Sequence, residues 1–310
     1  MLIVYCMWGA FVMKRLIIGA FVLLGALFCA GRSFLFNFAA RYHKEQPVVT
    51  IFIHGSRSGI RYFLPAKFKA KPGLLSVKEY EESSYYSQMA DVLEKKSPKR
   101  YNKDHFYIFG WDGTVDFTVR KKMAKKLYSK IKKRLRNYKT DLGVYPKLQI
   151  ITFSHGGNIA LQLSDFLPFF NNDSIDLDLV LIGCPVQAAT ENLIDCPHFS
   201  HITVISSNGD VIQRMDPHNL YGPKRDKKTR VFSRRFFDVG DLDQSVQNKI
   251  SQYAVTVNRK VIGHLDLARS FIKHVPDVLD QSMKAAPGKI LDVDIYDPEF
   301  AFCSFYNLFF

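Results

Sequence analysis

The sequence predicts an α/β protein in which a mostly parallel sheet carries helices on both faces. Short apolar runs rich in β-branched and aromatic residues alternate with segments whose apolar residues recur every three or four positions. This alternation is typical of parallel strands joined by helical crossovers. The 310 residues, 47% of them hydrophobic, are enough for one large domain of this class behind an apolar leader.

Five of the apolar runs predict strands, and most of them end in turn-forming residues. They span residues 48–55, 105–111, 148–154, 177–183 and 201–207. Helices are predicted at 83–96, 120–138, 158–167 and 264–284 from their apolar spacing. Between 216 and 235 the chain is polar and basic, which predicts a loop that passes over a site.

The first forty residues predict a signal peptide or a membrane anchor. Lys14 and Arg15 precede an apolar run at 16–30, which is the layout of a secretory signal. The run is short for a membrane span, which takes about 20 apolar residues. Whether the leader is cleaved stays open, but in either case we expect the chain to be exported or membrane-anchored.

The net charge of +14 is concentrated in one predicted helix. Residues 120–136 contain ten Lys or Arg and no acid, while Met123, Leu127, Ile131 and Leu135 recur at helical spacing. This pattern predicts an amphipathic helix with an apolar stripe inside and a basic face outside. The face is either simply solvated or a contact for an anionic membrane surface. Nucleic acid is not expected as a partner, because no aromatic-interleaved basic motif accompanies the charge.

The five cysteines show no spacing that is typical of a metal site, so a bound metal is not expected. No organic cofactor is expected either. Cys184 lies in an apolar run, where a free cysteine commonly packs as a small hydrophobic residue. A disulfide between Cys184 and Cys196 is the alternative, since an exported chain enters an oxidising compartment.

Ser154 lies in the segment TFSHGGN, between a predicted strand and a helix predicted from Asn158. A serine hydroxyl is a weak nucleophile, so an enzyme presents it on a tight strand-to-helix turn beside a base and backbone N–H groups. Small residues two positions before and after the serine permit this turn. Gly156 fills the second of these positions, with Gly157 beyond it, whereas Thr152 stands where glycine is usual.

Three segments together, HG at 54–55, FGWDG at 109–113 and SHGGN at 154–158, resemble the lipase and esterase branch of the α/β-hydrolase superfamily. The resemblance extends from residue 48 to about residue 284. It implies a serine, then an acid after a later strand, then a histidine near the C-terminal end. Carried over to this chain, these are Ser154, Asp210 and His264. The alternatives left open are Asp216 as the acid and His201, His218 or His274 as the base.

The same resemblance implies an oxyanion hole built from backbone N–H groups. The N–H of His155 would supply one donor, and Gly55 or Ser56, after the first predicted strand, would supply the other. We expect His54 to support this loop rather than to act as a second base. The scheme requires no role for the side chain of His155.

Trp111 and Asp112 fall where a predicted strand ends, and ligands collect at the carboxyl ends of parallel strands. They are candidates for the wall of a substrate pocket; the alternative for Trp111 is that it packs under the nucleophile turn. Aromatic residues at 85–86 and 166–170 offer apolar cover for a lipid chain.

Together these features predict a serine hydrolase that cleaves carboxylic, lipid-like esters through an acyl-enzyme. A serine acyltransferase would use the same machinery, and an inactive membrane-tethered binding protein is the alternative that Thr152 favours. The domain is expected at 41–290, behind the leader at 1–40. An aromatic tail follows at 291–310, beginning with an acidic stretch at 292–299 that predicts a linker.

Overall fold

The computed structural model describes residues 46–56, 69–143, 145–167, 175–216, 232–281 and 288–302. The predicted leader at 1–40 and the last part of the aromatic tail lie outside these residues, and both stay predictions. No helix among the described residues has the length and apolar character to cross a membrane.

The described strands are β1 (Val48–Ile53), β2 (Gly73–Ser76), β3 (Phe106–Gly110), β4 (Lys147–Phe153), β5 (Leu177–Ile182), β6 (His201–Ser206), β7 (Ile250–Val257), β8 (Lys260–Val261) and β9 (Ile290–Ile295). The described α-helices are α1 (Tyr85–Lys96), α2 (Phe117–Leu142), α3 (Gly156–Leu161), α4 (Val211–Met215), α5 (Gln244–Gln247), α6 (His264–Arg269) and α7 (Val275–Gln281). The five predicted strands correspond to β1, β3, β4, β5 and β6.

The described strands form one sheet in the order β2-β3-β1-β4-β5-β6-β7-β8, with β9 also paired to β7. The pairings that join β3, β1, β4, β5, β6, β7 and β9 are parallel. Two short strands run antiparallel to their neighbours, β2 to β3 and β8 to β7. The predicted mostly parallel sheet is therefore confirmed.

Helices cover the central strands on both faces, because alternate side chains of β1 and of β3 to β6 belong to two separate apolar clusters. In β1, Ile51 and Ile53 pack with the cluster that contains the buried side of α2 and α3. Phe52 packs with the cluster that contains residues of α1, α6 and α7. The central strand β4 is buried at every position from Leu148 to Thr152, as expected for a strand covered on both faces.

The strand order reverses between β1 and β4. From β1 the chain crosses to β3 on one side, whereas from β4 it crosses to β5 on the other. Ligand sites in open α/β sheets form where neighbouring connections diverge in this way. Gly55 follows β1 and Ser154 follows β4, so both lie where the strand order reverses, at the carboxyl ends of these strands.

Helix α2 is the basic helix of the sequence analysis, and its ends are well defined. Asp116 Oδ1 accepts a hydrogen bond from the Val119 N–H at 2.8 Å at its start, and Gly143, with a φ of 76°, ends it. Leu127 and Ile131 are buried as the predicted stripe requires. Most of the basic side chains are exposed.

The acidic stretch at 292–299 is not the predicted linker, because its first residues lie in β9 and extend the sheet. Val293 and Ile295 are buried while Asp292 and Asp294 are not, which is the period-two pattern of a half-buried strand. Phe300, the first aromatic residue after it, is buried as well. Strands β2, β7 and β8 were not among the five predicted strands.

Candidate active site

Ser154 lies in the turn between β4 and α3. Its φ is 52°, a left-handed value that an L-residue adopts only where its surroundings enforce it. The Ser154 N–H donates to Ile182 O at 2.9 Å, and the Gly157 N–H donates to Ser154 O at 2.9 Å. These bonds hold the serine at the carboxyl edge of the sheet.

Two glycines allow the end of β1 to touch this turn. A Cβ on Gly55 would lie 2.8 Å from Ser154 Cβ, and one on Gly156 would lie 2.5 Å from Ile53 O. Both distances are too short for a real Cβ contact. Glycine is therefore required at both positions by close approach of the backbone.

Thr152, which stands where glycine was expected, fits because Gly157 leaves room for it. The Thr152 side chain is buried, and its hydroxyl donates to Val180 O at 3.2 Å. A Cβ on Gly157 would lie 3.2 Å from that hydroxyl oxygen and 2.8 Å from Cys184 Cβ. The small residue that this side of the turn needs is thus supplied at 157 rather than at 152.

Asp210 and His264 form a buried pair at the same edge of the sheet. Asp210 Oδ2 lies 2.7 Å from His264 Nδ1, and the Asp210 side chain is 0% exposed. A carboxylate accepts hydrogen bonds only, so this contact puts the ring proton on Nδ1 and leaves Nε2 as a base. The His264 ring centroid lies 4.6 Å from that of Phe153, the residue before Ser154.

Local structure fixes both members of this pair. Asp210 follows β6 and begins α4, and its Oδ1 accepts a hydrogen bond from the Gln213 N–H at 2.8 Å. His264 is the first residue of α6. Gly183, after β5, keeps the space beside them open, since a Cβ there would lie 3.3 Å from Asp210 Oδ2 and 3.4 Å from His264 Cε1.

Within the described residues, Ser154 Oγ makes no hydrogen bond to His264. The histidine and its carboxylate are therefore paired, and the serine lies nearby without the contact that proton transfer needs. Such contacts are often long in the absence of substrate and shorten when it binds.

The alternative bases lie away from Ser154 or outside the described residues. His201 begins β6, at the opposite, amino edge of the sheet. His274 lies between α6 and α7, and its Nε2 is 2.9 Å from Asp297 Oδ2. His218 lies outside the described residues.

Asp216, the alternative acid, contacts His155 rather than His264, in a polar network that the sequence analysis missed. Asp216 Oδ1 lies 3.0 Å from His155 Nε2. Arg120 Nη1 donates to His155 Nδ1 at 3.1 Å, and Arg120 Nη2 donates to Gln187 Oε1 at 2.6 Å. Gln187 Nε2 donates to Asp216 Oδ2 at 2.8 Å, which closes a ring of four side chains.

We call Arg120, Gln187, Asp216 and His155 the buried ring. Burial lowers the pKa of Arg120 to about 10, which leaves the guanidinium charged at neutral pH. Burial acts to raise the pKa of Asp216, but hydrogen bonds from His155, Gln187 and Ser233 outweigh it and lower the pKa to about 2. Burial also lowers the pKa of His155, so its imidazole is neutral, with Nδ1 as acceptor and Nε2–H as donor.

Arg120 belongs to the basic run of the sequence, yet its side chain is only 1% exposed. The signal that could have revealed this is its spacing, because Arg120 precedes Ala124 and Leu127 on the buried stripe of α2. The partners Gln187 and Asp216 are distant in sequence and leave no comparable local signal.

His54 and Trp111 pack against each other beneath the loop after β1. The Trp111 indole N–H donates to His54 O at 2.8 Å, the Trp111 backbone N–H donates to His54 Nε2 at 3.2 Å, and the rings stack with centroids 5.7 Å apart. Trp111 is buried. Asp112 is exposed and accepts a hydrogen bond from the Thr114 N–H at 2.9 Å.

The candidate oxyanion donors are the residue after Ser154 and the two residues at 55 and 56 after β1. Within the described part of the chain, the His155 N–H has no backbone acceptor, so it is free to bind a ligand. Gly55 lies against Ser154, and Ser56 is partly exposed. The loop that continues from Ser56 lies outside the described residues.

No family model matches the chain, and no curated protein sequence matches it either. Several solved structures show weak structural similarity to it, among them the following two. Both of these proteins are esterases. The first is an arylesterase that shares 12% sequence identity with the chain and has a TM-score of 0.34. The aligned region covers 81% of this chain and 67% of the arylesterase. Carboxylesterase CesB (YbfK) from Bacillus subtilis shares 10% identity, covers 82% of this chain and 77% of its own, and has a TM-score of 0.28.

Among the described residues, no group of His, Cys, Asp and Glu side chains is arranged to hold a metal ion. Cys184 and Cys196 are both free thiols, so the alternative disulfide between them is not formed. Burial raises the pKa of both thiols, which favours their neutral, unreactive form.

Proposed function

We propose that the chain is a serine hydrolase of the α/β-hydrolase type, which cleaves carboxylic esters with Ser154, His264 and Asp210. The observation that carries the proposal is the 2.7 Å contact of His264 Nδ1 with Asp210 Oδ2, beside a serine held at a φ of 52°. The turn after β4, the turn after β6 and the start of α6 each contribute one of these residues to a single sheet edge.

The mechanism follows from the protonation state of the pair. Ser154 Oγ attacks the ester carbonyl while His264 Nε2 takes its proton, and Asp210 stabilises the imidazolium. The backbone N–H of His155 and that of Gly55 or Ser56 bind the oxyanion. His264 returns the proton to the leaving alcohol, which leaves an acyl-Ser154 ester. Water, deprotonated by His264, then releases the carboxylic acid and restores the serine.

We further propose that the acyl group is apolar and lipid-like, because exposed apolar side chains lie directly after the acid. Val211, Ile212 and Met215 of α4 are 50%, 46% and 61% exposed, and Phe232 is 52% exposed. Large apolar side chains exposed together mark a surface that meets an apolar ligand or a lipid. They give a long acyl chain a place to lie next to Asp210.

The basic outer face of α2 supports an anionic membrane surface as a further partner. Its exposed cations are Lys121, Lys122, Lys125, Lys126, Lys130, Lys133, Arg136 and Lys139. Juxtaposed cations on one face gain about 1 kcal/mol each near an anionic bilayer. We propose that this face and the predicted leader together hold the hydrolase at a membrane.

Rapid-mixing kinetics with p-nitrophenyl butyrate and p-nitrophenyl dodecanoate tests the proposed reaction. We expect a burst of p-nitrophenol close to the enzyme concentration, then slower turnover, with a higher kcat/KM for the longer ester. Ser154→Ala should give neither phase. If added alcohol is esterified in preference to hydrolysis, the chain is an acyltransferase on the same machinery. A folded parent with no burst and no turnover contradicts the proposal and favours an inactive binding protein.

A further inference from the structure

We propose that the buried ring of Arg120, Gln187, Asp216 and His155 positions the oxyanion-binding side of the nucleophile turn. The inference rests on the proposed function, because an oxyanion forms here only if Ser154 is the nucleophile. The four are positioning residues, since their side chains contact one another rather than the reacting atoms.

The first observation is how completely the ring holds His155, the residue after the nucleophile. Its Nδ1 accepts from Arg120 at 3.1 Å, and its Nε2 donates to Asp216 at 3.0 Å. Both nitrogens of the imidazole are therefore fixed, and the side chain is 6% exposed. Because these two hydrogen bonds fix the imidazole of His155, they also hold the backbone of His155, with its free N–H, beside Ser154.

The second observation is that the ring joins the nucleophile turn to three other parts of the fold. Arg120 comes from the first turn of α2, Gln187 from the loop after β5, and Asp216 from the end of α4. Arg120 Nη1 also donates to Val115 O at 2.6 Å, before α2 begins. The turn is thus joined by hydrogen bonds to three other segments of the described chain.

The third observation is that burying a charged arginine in this ring is energetically unfavourable. Arg120 is among the largest fully buried side chains of the described residues, and its Nε has no hydrogen-bond partner there. Apolar residues of the same volume often give equal or greater stability than a buried charged group and its partners. Stability alone is therefore a poor reason for the ring. Fixing a backbone donor is a better one, because such donors act only at the right distance from the oxyanion.

Each hydrogen bond of the buried ring has a defined donor and acceptor, so substitutions that reverse these roles can test the ring. Gln187 accepts from Arg120 with Oε1 and donates to Asp216 with Nε2. In Asp216→Asn, the new side-chain oxygen can still accept from His155 Nε2–H. The new NH₂ group then faces Gln187 Nε2, so that two hydrogen-bond donors oppose each other. Adding Gln187→Glu exchanges the carboxylate and the amide between the two positions. This restores the net charge and every donor–acceptor pair within the ring. The Ser233 hydroxyl, which donates to Asp216 Oδ2 at 2.8 Å in the parent, then has to accept from the new amide.

The experiment compares the full-length parent, Asp216→Asn and the double variant Asp216→Asn/Gln187→Glu. It measures kcat and KM for an aryl ester, the affinity for a trifluoromethyl ketone that forms a hemiketal with the serine, and Tm. Gln252→Leu is the matched control. Gln252 is also a buried amide, with hydrogen bonds to Phe237 N and O at 2.8 and 3.0 Å, but it lies in β7, away from Ser154.

We expect Asp216→Asn to lower kcat about tenfold or more and to weaken ketone binding in proportion, with KM changed less than about twofold. The double variant should recover kcat to within about threefold of the parent. Gln252→Leu should lower Tm and leave kcat unchanged, because it removes buried hydrogen bonds without touching the turn.

Two results would overturn the inference. The first is a parent-like kcat in Asp216→Asn, and the second is a double variant that recovers Tm but not kcat. If Asp216→Asn does not fold, the double variant alone tests the inference. A parent-like Tm with a tenfold lower kcat in the double variant would then contradict it. A parent that turns over no ester removes the proposed function itself, and the inference with it.

Discussion

The two carboxylate oxygens of Asp210 have different partners: one contacts His264, and the other accepts a hydrogen bond at the start of a helix. Its Oδ2 lies 2.7 Å from His264 Nδ1, while its Oδ1 accepts the Gln213 N–H at 2.8 Å and caps α4. The helix cap fixes the carboxylate, and the carboxylate in turn fixes the imidazole. The pair therefore has a defined tautomer before any substrate arrives.

Asp210→Asn should separate these two tasks. The amide oxygen can still cap α4, but the amide NH₂ then faces His264 Nδ1 and forces the ring proton onto Nε2. We expect kcat to fall about 10³- to 10⁴-fold with little change in stability. Steady-state kinetics and urea unfolding on the same samples check this.

Ser84→Ala is the control for that experiment. Ser84 caps α1, where its Oγ accepts the Ser87 N–H at 3.2 Å, and losing such a cap costs about 1 kcal/mol. Its kcat should match that of the parent. If Asp210→Asn also kept its activity, Asp210 would be a helix cap and nothing more.

Gly157→Ala should destabilise the protein through one specific overlap. The new Cβ would collide with Cys184, whose Cβ would be 2.8 Å away. We expect a loss of about 1–3 kcal/mol in the free energy of unfolding, partly recovered by adding Cys184→Gly. Gly143→Ala, at a φ of 76° with open space around it, should cost about 1–2 kcal/mol without any coupling to Cys184→Gly. Urea titrations of the single and double variants give the coupling energy, and additive losses would argue against the packing described.

The pKa of Asp216 predicts an acid-dependent part of the stability. Its value is about 2 in the folded chain and 3.8 for the unperturbed group, so the unfolded chain binds the proton first. The stabilisation is therefore present above pH 4 and is lost as the pH falls towards 2. From the shift it amounts to about 2 kcal/mol. Urea unfolding of the parent and of Asp216→Asn should show a stability difference that shrinks by this amount between pH 5 and pH 2. A constant difference would contradict the assigned contacts.

Removing charge from the outer face of α2 should weaken binding to anionic vesicles. We expect Lys122→Gln/Lys126→Gln/Lys133→Gln to lower partitioning of the full chain onto phosphatidylserine vesicles at least about tenfold. Partitioning onto phosphatidylcholine vesicles should not change. Vesicle sedimentation at two salt concentrations measures both.

The control for that face replaces three exposed lysines that lie outside α2, in Lys95→Gln/Lys99→Gln/Lys289→Gln. It removes the same charge from other places and should keep most of the binding. Equal losses in the two triple variants would mean that net charge, and not this face, drives the attraction.

The strands and the turn at Ser154 could be predicted because their signals are local. Apolar runs mark β1 and β3 to β6, and the glycines at 156 and 157 mark a tight turn after β4. β9 was missed because its alternating aspartates looked like a linker, although its period-two pattern was present. A strand whose exposed face carries alternating acidic side chains is easily mistaken for a linker in this way.

The buried ring could not be predicted because its members meet only in the folded chain. His155 Nε2 and Asp216 Oδ1 are 61 positions apart in sequence and 3.0 Å apart in space. Arg120 was concealed among lysines of the same charge, so composition placed it on the outer face of α2. What distinguishes it is burial, which depends on the packing of α2 against the sheet.

The most direct measurement is labelling of the full-length chain with a fluorophosphonate probe, followed by mass spectrometry of the modified peptide. We expect the parent to be labelled at Ser154, Ser154→Ala to show no labelling, and His264→Ala to be labelled at least about a hundredfold more slowly. Labelling at another serine, or a folded parent that does not react, would contradict the assignment of Ser154 as the nucleophile.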